Sequence, residues 1–204
     1  HGGVIPVVAT FFVFSDYMKP AIRMSAIQEL PVKYVWTHDA FRVGEDGPTH
    51  QPIEQEAQIR LLEKLKNHSG DPCFTALRPA DSAETNVAWK MAMENDKTPT
   101  GLILSRQGIK DLPAASSRYK EALAAEKGGY TVLEVENPDV VLIANGSEVA
   151  TLIEGAQLLQ ERESIKAKVV SVPSEGIFRL QSKVYQEGII PTNKPAFGLT
   201  AGLP

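Results

Sequence analysis

Pro31-Val32-Lys33-Tyr34-Val35-Trp36-Thr37 runs directly into His38-Asp39-Ala40-Phe41-Arg42-Val43-Gly44-Glu45-Asp46-Gly47-Pro48-Thr49-His50-Gln51-Pro52, and from there into Ile53 to Asn67. The first seven residues are rich in β-branched and aromatic side chains, the composition of a strand. The middle segment is polar, with Gly44, Gly47 and Pro48 as turn formers. The last has Pro52 near its start and Ile59, Leu61, Leu62 and Leu65 as its apolar positions, which predicts a helix. Together they predict one strand–loop–helix unit of an α/β sheet.

The alternation extends outward from that unit. Val4-Ile5-Pro6-Val7-Val8-Ala9-Thr10-Phe11-Phe12-Val13-Phe14 reads as a buried strand. Asp16 to Leu30 follows as a helix carrying Met18, Ile22, Met24, Ile27 and Leu30. Beyond the central unit, Cys73 to Leu77 is a strand, Asp81 or Ser82 opens a helix reaching about Asn95, and Gly101 to Ser105 is a strand ending at Arg106. Strands alternating with helices predict a doubly wound, mostly parallel α/β sheet. From Gly108 to Gly129 the pattern lapses into a charged, Ala-rich stretch, which reads as a connection. A second α/β series then begins, with strands at Tyr130 to Val135, Val140 to Ala144 and Ala167 to Val172. A helix opens at Gly146 or Ser147 and runs to about Arg162. Two α/β domains joined by that connection are therefore expected.

Twenty-one Lys and Arg against 25 Asp and Glu leave a net charge of −4 over 204 residues, which argues against generic nucleic-acid or anionic-membrane binding. No apolar run approaches the ~18 residues of a transmembrane helix. The lone Cys73 excludes an internal disulfide framework and most cysteine-based metal sites, and fits a reducing, cytoplasmic setting. The chain opens at His1 without Met and closes on Phe197-Gly198-Leu199-Thr200-Ala201-Gly202-Leu203-Pro204, so both ends read as cuts through a larger protein.

The loop from Thr37 to Pro52 follows a strand's C-terminal end, where open α/β sheets place ligand sites. It can aim His38, Asp46 and His50 at one small polar ligand, with imidazoles suited to hydroxyl recognition and proton transfer. The same composition also suits a plain connector. Its histidines follow no metal-ligand spacing such as His-Glu-x-x-His. Phe11, Phe14 and Tyr17, spaced by threes, can wall a pocket for a flat heterocycle or simply pack in a core. Arg106 at a strand end can grip a phosphate bidentately or form a surface ion pair. Gly146-Ser147-Glu148 reads as a helix cap with an acidic first turn or as an anion site at a helix start, Arg78-Pro79-Ala80-Asp81 is similarly ambiguous, and neither is assigned catalysis.

Taken in order, these segments resemble the transketolase family. The resemblance rests above all on Gly44-Glu45-Asp46-Gly47-Pro48-Thr49-His50-Gln51-Pro52. It is supported by His1-Gly2-Gly3, Thr10 to Tyr17, Arg78 to Asp81, Leu104-Ser105-Arg106-Gln107 and Ala144 to Val149. It implies a thiamine-diphosphate-binding fold, with 1–117 as the pyrimidine-binding domain lacking its start, 118–129 as a linker and 130–204 as a truncated C-terminal domain. It implies transfer of a two-carbon ketol unit from a ketose phosphate to an aldose phosphate in the pentose phosphate pathway. Phe11, Phe14 and Tyr17 would wall the aminopyrimidine of thiamine diphosphate, while His38 and Arg106 would hold the sugar phosphate. Asp46 would recognise a substrate hydroxyl, and His50 would touch the donor and move protons as the catalytic residue. The resemblance further implies a homodimeric parent with its active site between subunits. The Mg or Ca ligands and the cofactor-activating glutamate would lie outside this chain, leaving the chain alone inactive. Ala40-Phe41-Arg42 stands where many relatives carry Ser-Ile-Gly. A deoxyxylulose-phosphate synthase, a dehydrogenase component or a non-catalytic α/β interaction domain are the competing readings.

Overall fold

The computed structural model describes residues 3–200, so the expectations attached to His1-Gly2 and to Ala201-Gly202-Leu203-Pro204 lie outside the described residues. Two compact units divide the chain. One takes residues up to 78 together with 88–108, and the other takes 79–87 together with 109–200.

In the first unit, β1 (Val7–Phe11), β2 (Lys33–Thr37), β3 (Thr75–Leu77) and β4 (Thr100–Ile103) form one sheet in the order β1-β2-β4-β3. Every pairing is parallel, with Val8 opposite Tyr34 and Tyr34 opposite Gly101. Helices α1 (Ser15–Ile27), α2 (Gln55–Glu63) and α3 (Ser82–Glu94) supply the crossovers. The core gathers Phe12, Ile22, Tyr34, Trp36, Ile59, Phe74 and Ile103. Trp36 is fully buried, stacks on Tyr34 and Phe74, and donates Nε1–H to Met18 Sδ at 3.4 Å.

β4 passes this aromatic layer only because position 101 has no side chain. A Cβ there would stand 2.4 Å from Trp36 Cζ3 and 2.8 Å from Phe74 Cζ. Gly101→Ala is therefore expected to cost about 1–3 kcal/mol by overpacking. Urea unfolding followed by tryptophan fluorescence measures this, and an unchanged midpoint would contradict the packing.

The second unit builds the sheet β5-β7-β6-β8 from β5 (Tyr130–Leu133), β6 (Val140–Ala144), β7 (Ala167–Ser171) and β8 (Ala196–Gly198). β6 runs parallel to both β7 and β8, while β5 is antiparallel to β7 with an irregular step between Thr131 and Leu133. Helix α5 (Glu148–Glu163) closes the core, burying Val149, Leu152, Ile153 and Ala156 against Leu142, Ala144, Ala167 and Val169. Short helices α4 (Arg118–Ala122), α6 (Glu175–Arg179) and α7 (Lys183–Ile189) complete the unit.

The mostly parallel α/β architecture is thus the one the alternation predicts, with several local corrections. The opening strand is not buried: Val7, Val8 and Ala9 are exposed, and Phe12–Phe14 form a 3-10 turn that leads into α1. Helix α1 stops at Ile27, because Glu29 takes a left-handed φ of +54° and Leu30 N turns back to Ser25 O. Helix α2 is shorter than Ile53 to Asn67; only Ile59 of its proposed apolar positions is fully buried, while Leu61 and Leu65 are exposed. Residues 118–127 form α4 and a second 3-10 turn, Leu123–Lys127. The antiparallel β5 and the elements α6, α7 and β8 are additions to the expected pattern.

Candidate functional site

The candidate site is assembled at the C-terminal ends of three neighbouring parallel strands. β1 ends at Phe11 and leads through the 3-10 turn to Phe14 and Tyr17; β2 ends one residue before His38; β4 is followed by Arg106. The loop between β2 and α2 contributes Asp46 and His50. This edge of a parallel sheet is where α/β folds bind ligands, because loops there vary freely on a fixed frame.

Backbone geometry shapes the loop. Gly44 and Gly47 adopt φ of +83° and +79°, conformations that side chains rarely tolerate. At Gly44 the demand is conformational and not spatial, since a Cβ would make only ordinary contacts with Gln107 Nε2 at 3.4 Å and Arg106 Nη1 at 3.7 Å. His50 N donates to Gly47 O at 3.1 Å, closing the turn that presents the imidazole. Gln55, buried at the start of α2, accepts from Ile53 N at 2.9 Å and donates to Asp16 Oδ2 at 3.0 Å, which anchors the loop's far end to α1.

All seven residues singled out from the sequence gather here. The His38 ring lies 3.9 Å from the Phe11 ring, and the His50 ring lies 5.5 Å from both Phe11 and Phe14. Phe14 stands 6.0 Å from Phe11 and 6.0 Å from Tyr17, which is 83% exposed. Thr10, Phe14, Tyr17 and Met18 line an open cavity of about 310 Å³. On the polar side, Asp46 Oδ2 sits 2.7 Å from Arg106 Nε and 3.7 Å from His38 Nε2, while Glu45 Oε1 lies 3.9 Å from Arg106 Nη2. That Asp46 oxygen is sealed from solvent without an aligned hydrogen bond, so charge attraction holds it. Ser105 Oγ donates to Gln107 O at 2.7 Å, fixing the turn that carries Arg106.

His38 carries two further marks. Its φ of +61° is left-handed, a conformation uncommon for a non-glycine residue. Burial pushes its imidazole below the ordinary histidine range, against the pull of Asp46. Thr37 Oγ1 lies 3.0 Å from His38 Nδ1. With the hydroxyl donating to Nδ1, the neutral ring keeps its proton on Nε2, facing Asp46. A histidine NMR titration is expected to place the His38 midpoint below 6.5. The folded chain then takes up that proton less readily than the unfolded chain, so stability falls as pH drops from 6.5 towards the folded midpoint. A midpoint at or above 6.5 would contradict the burial.

Buried charges behind the loop escaped the sequence reading. Asp39 is 1% exposed and paired to Arg78, and Glu56 is buried at the start of α2. Burial pushes the Asp39 carboxyl upward while Arg78 opposes the shift. No periodicity reveals such pairs, because they join residues far apart in the chain. Among the described residues, no three His, Cys, Asp or Glu side chains converge to hold a metal ion, and no helix is long and apolar enough to cross a membrane.

Comparison with known proteins bears on this arrangement. Residues 1–110 match the family described as the transketolase, pyrimidine binding domain, and residues 128–204 match the transketolase-like TK C-terminal domain. The transketolase of Bacillus subtilis (strain 168) is 46% identical over 196 residues, covering 95% of this chain and 27% of that protein. A Pichia stipitis transketolase solved in complex with sedoheptulose-7-phosphate superposes with a TM-score of 0.81 at 37% identity, over 95% of this chain and 26% of that one. A split-gene transketolase, described as an inactive β4 tetramer, matches 84% of this chain and 50% of its own with a TM-score of 0.62 and 31% identity. The chain spans about 27% of the length of the curated relative it matches. With the pyrimidine-domain family covering residues 1–110, and the C-terminal family following it along the chain, this chain belongs to the transketolase family.

Proposed function

We propose that the chain is part of a thiamine-diphosphate-dependent transketolase that moves a two-carbon ketol unit from a ketose phosphate to an aldose phosphate. The observation that carries this reading is the meeting of an aromatic wall, two histidines, Asp46 and Arg106 at the ends of β1, β2 and β4. Residues 1–117 serve as the pyrimidine-binding part, 118–129 as the connection and 130–204 as the C-terminal domain. The relative solved with a seven-carbon sugar phosphate supports the substrate class.

The residues present fit the cofactor's aminopyrimidine. Phe14 and Tyr17 form one side of an open cavity, and Phe11 continues that wall towards the histidines. Thiamine diphosphate supplies, when bound, the nucleophilic carbon and electron sink that ketol transfer needs. The chain's own residues position the substrate. Arg106 and His38 hold the sugar phosphate, the guanidinium as a cation and the neutral imidazole as an Nε2–H donor. In this arrangement Arg106 faces Asp46, so a phosphate taken up by Arg106 frees the carboxylate to accept from a sugar hydroxyl. Remote grip on the phosphate thereby orients the reacting end of the sugar. His50, braced against Phe11 and Phe14, takes and returns protons at the donor's oxygen atoms.

The complete protein is a homodimer with sites between subunits. Residues beyond this chain supply the Mg or Ca ligands and the activating glutamate. The buried free thiol of Cys73 supports a reducing, cytoplasmic location. The split-gene relative described as inactive supports the expectation that this chain alone does not turn over. The test is ketol transfer from xylulose 5-phosphate to ribose 5-phosphate by the complete protein, with and without thiamine diphosphate and magnesium. Cofactor-dependent formation of a seven-carbon ketose phosphate is expected, with none from the 204-residue chain. A folded, cofactor-saturated protein that makes no such product would overturn the proposal.

A further inference from the structure

Arg78, immediately after β3, takes no part in the chemistry proposed above, yet its side chain is only 3% exposed. Its guanidinium reaches Asp39 Oδ2 from Nη2 at 2.8 Å and from Nε at 3.2 Å, and Nη1 stands 3.7 Å from Glu56 Oε2. Asp39 is the second residue after β2, and Glu56 lies in the first turn of α2. One buried cation therefore touches both ends of the loop that carries Asp46 and His50. A planar guanidinium suits this bridge, since it can serve two carboxylates from different edges at once.

The start of that loop departs from regular strand geometry. Leu104 N donates to Trp36 O at 2.7 Å, and a regular parallel ladder would next bring His38 N to Leu104 O. Asp39 N takes that acceptor instead, at 3.2 Å, so one extra residue is accommodated and His38 occupies it with its φ of +61°. Such bulges re-aim a side chain next to a functional site. Here the His38 ring lies against Phe11 at 3.9 Å while the Asp39 carboxylate turns to Arg78. A left-handed non-glycine residue persists where its surroundings over-determine it. Asp39 is held by its amide on one side and by its carboxylate on the other.

We infer that Arg78 and Asp39 are positioning residues: their buried ion pair pins the base of the substrate loop and holds His38 in the bulge that directs its imidazole to Phe11 and Asp46. The link to catalysis rests on the reading of His38 as a sugar-phosphate ligand; the positioning itself does not.

Arg78→Lys keeps a buried cation for Asp39 but loses the two-sided fork, and Asp39→Asn keeps the side chain's shape without its charge. In the complete protein, isotope-labelled at histidine and phenylalanine, both are expected to shift the His38 ring resonances and weaken the His38–Phe11 nuclear Overhauser contact, with the His68 ring as an unmoved reference. In the complete protein, the same variants are expected to raise KM for phosphorylated sugars about tenfold, with a smaller change in kcat. A drop in melting temperature with unchanged His38 resonances and contacts, in either folded variant, would overturn the inference and leave a purely structural ion pair. Displacement of His38 without any change in KM would uphold the positioning role and remove His38 from sugar-phosphate binding.

Discussion

Replacing His50 with alanine in the complete protein is expected to lower kcat about 10²–10⁴-fold, the range a positioned general acid–base group supplies. The expectation follows from how firmly the ring is held. Its backbone amide closes the turn to Gly47 O, Thr49 Oγ1 lies 2.9 Å from Nδ1, and Phe11 and Phe14 flank the ring. A side chain fixed from three directions loses little freedom when substrate arrives, which favours proton transfer over simple contact. His50→Gln separates the two roles, since the amide can hydrogen-bond but cannot shuttle a proton near neutral pH. It should lose kcat nearly as fully as His50→Ala, with cofactor affinity unchanged by fluorescence titration. A loss under about tenfold for both variants would remove His50 from the proton-transfer step.

The second large effect concerns the second unit. Arg118→Met is expected to remove about 3–5 kcal/mol of stability by leaving buried carboxylates without their cation. Arg118 Nε donates to Asp81 Oδ2 at 2.5 Å, and Nη2 reaches Glu84 Oε1 at 3.2 Å and Tyr130 OH at 2.6 Å. Tyr130 OH also donates to Glu84 Oε1 at 2.7 Å. Asp81 and Glu84 serve the backbone as well. Asp81 accepts from Glu84 N and Leu112 N, and Glu84 accepts from Ala80 N, so the start of α3 is capped by groups that themselves need neutralising.

Burial pushes the Glu84 carboxyl above its ordinary range. A protonated Glu84 needs no cation, so the cost of Arg118→Met should be smaller near pH 5 than at pH 8. Trp36 and Trp89 both lie in the first unit, and Trp89 shares α3 with Glu84, so fluorescence does not separate the two units. Hydrogen exchange at β6 and β7 amides reads it directly. Exchange as slow as in the parent chain, at both pH values, would show that the network carries little stability.

The fold was legible wherever period and burial coincide. Tyr34 and Trp36 of β2, the apolar run of β6, and α5 with its Val149, Leu152 and Ile153 stripe all announce their elements, because each puts apolar side chains into a core. The short elements did not. A five-residue helix such as α4 has too few turns for a periodic signature, and it is held by Arg118 reaching across to Asp81. The direction of β5 depends on its partner β7, not on its own residues.

The seven residues proposed for the site were legible as candidates because they cluster at strand ends and in one Gly-rich loop. Arg78, Asp39 and Glu56 were not, since a charged residue in a sequence looks the same whether it is solvated or buried. Lys33 makes the point most sharply. It looks like a solvent-facing interruption of an apolar strand, yet it is fully buried and donates from Nζ to Asn95 O at 2.6 Å.

The exposed first strand has a practical consequence for anyone handling the chain by itself. Among the described residues β1 pairs only with β2, and Val4, Ile5, Val7 and Val8 are exposed along or just before it, Val4 by 77%. An open strand edge flanked by β-branched residues and bearing no charge is a template for other copies of the same chain. Solutions of the chain should therefore scatter light increasingly with concentration while Trp36 stays native, and Val8→Lys should suppress that scattering. Loss of material during concentration would then measure the stickiness of a sheet edge in an otherwise folded molecule, and its remedy would be a charge and not a stronger core.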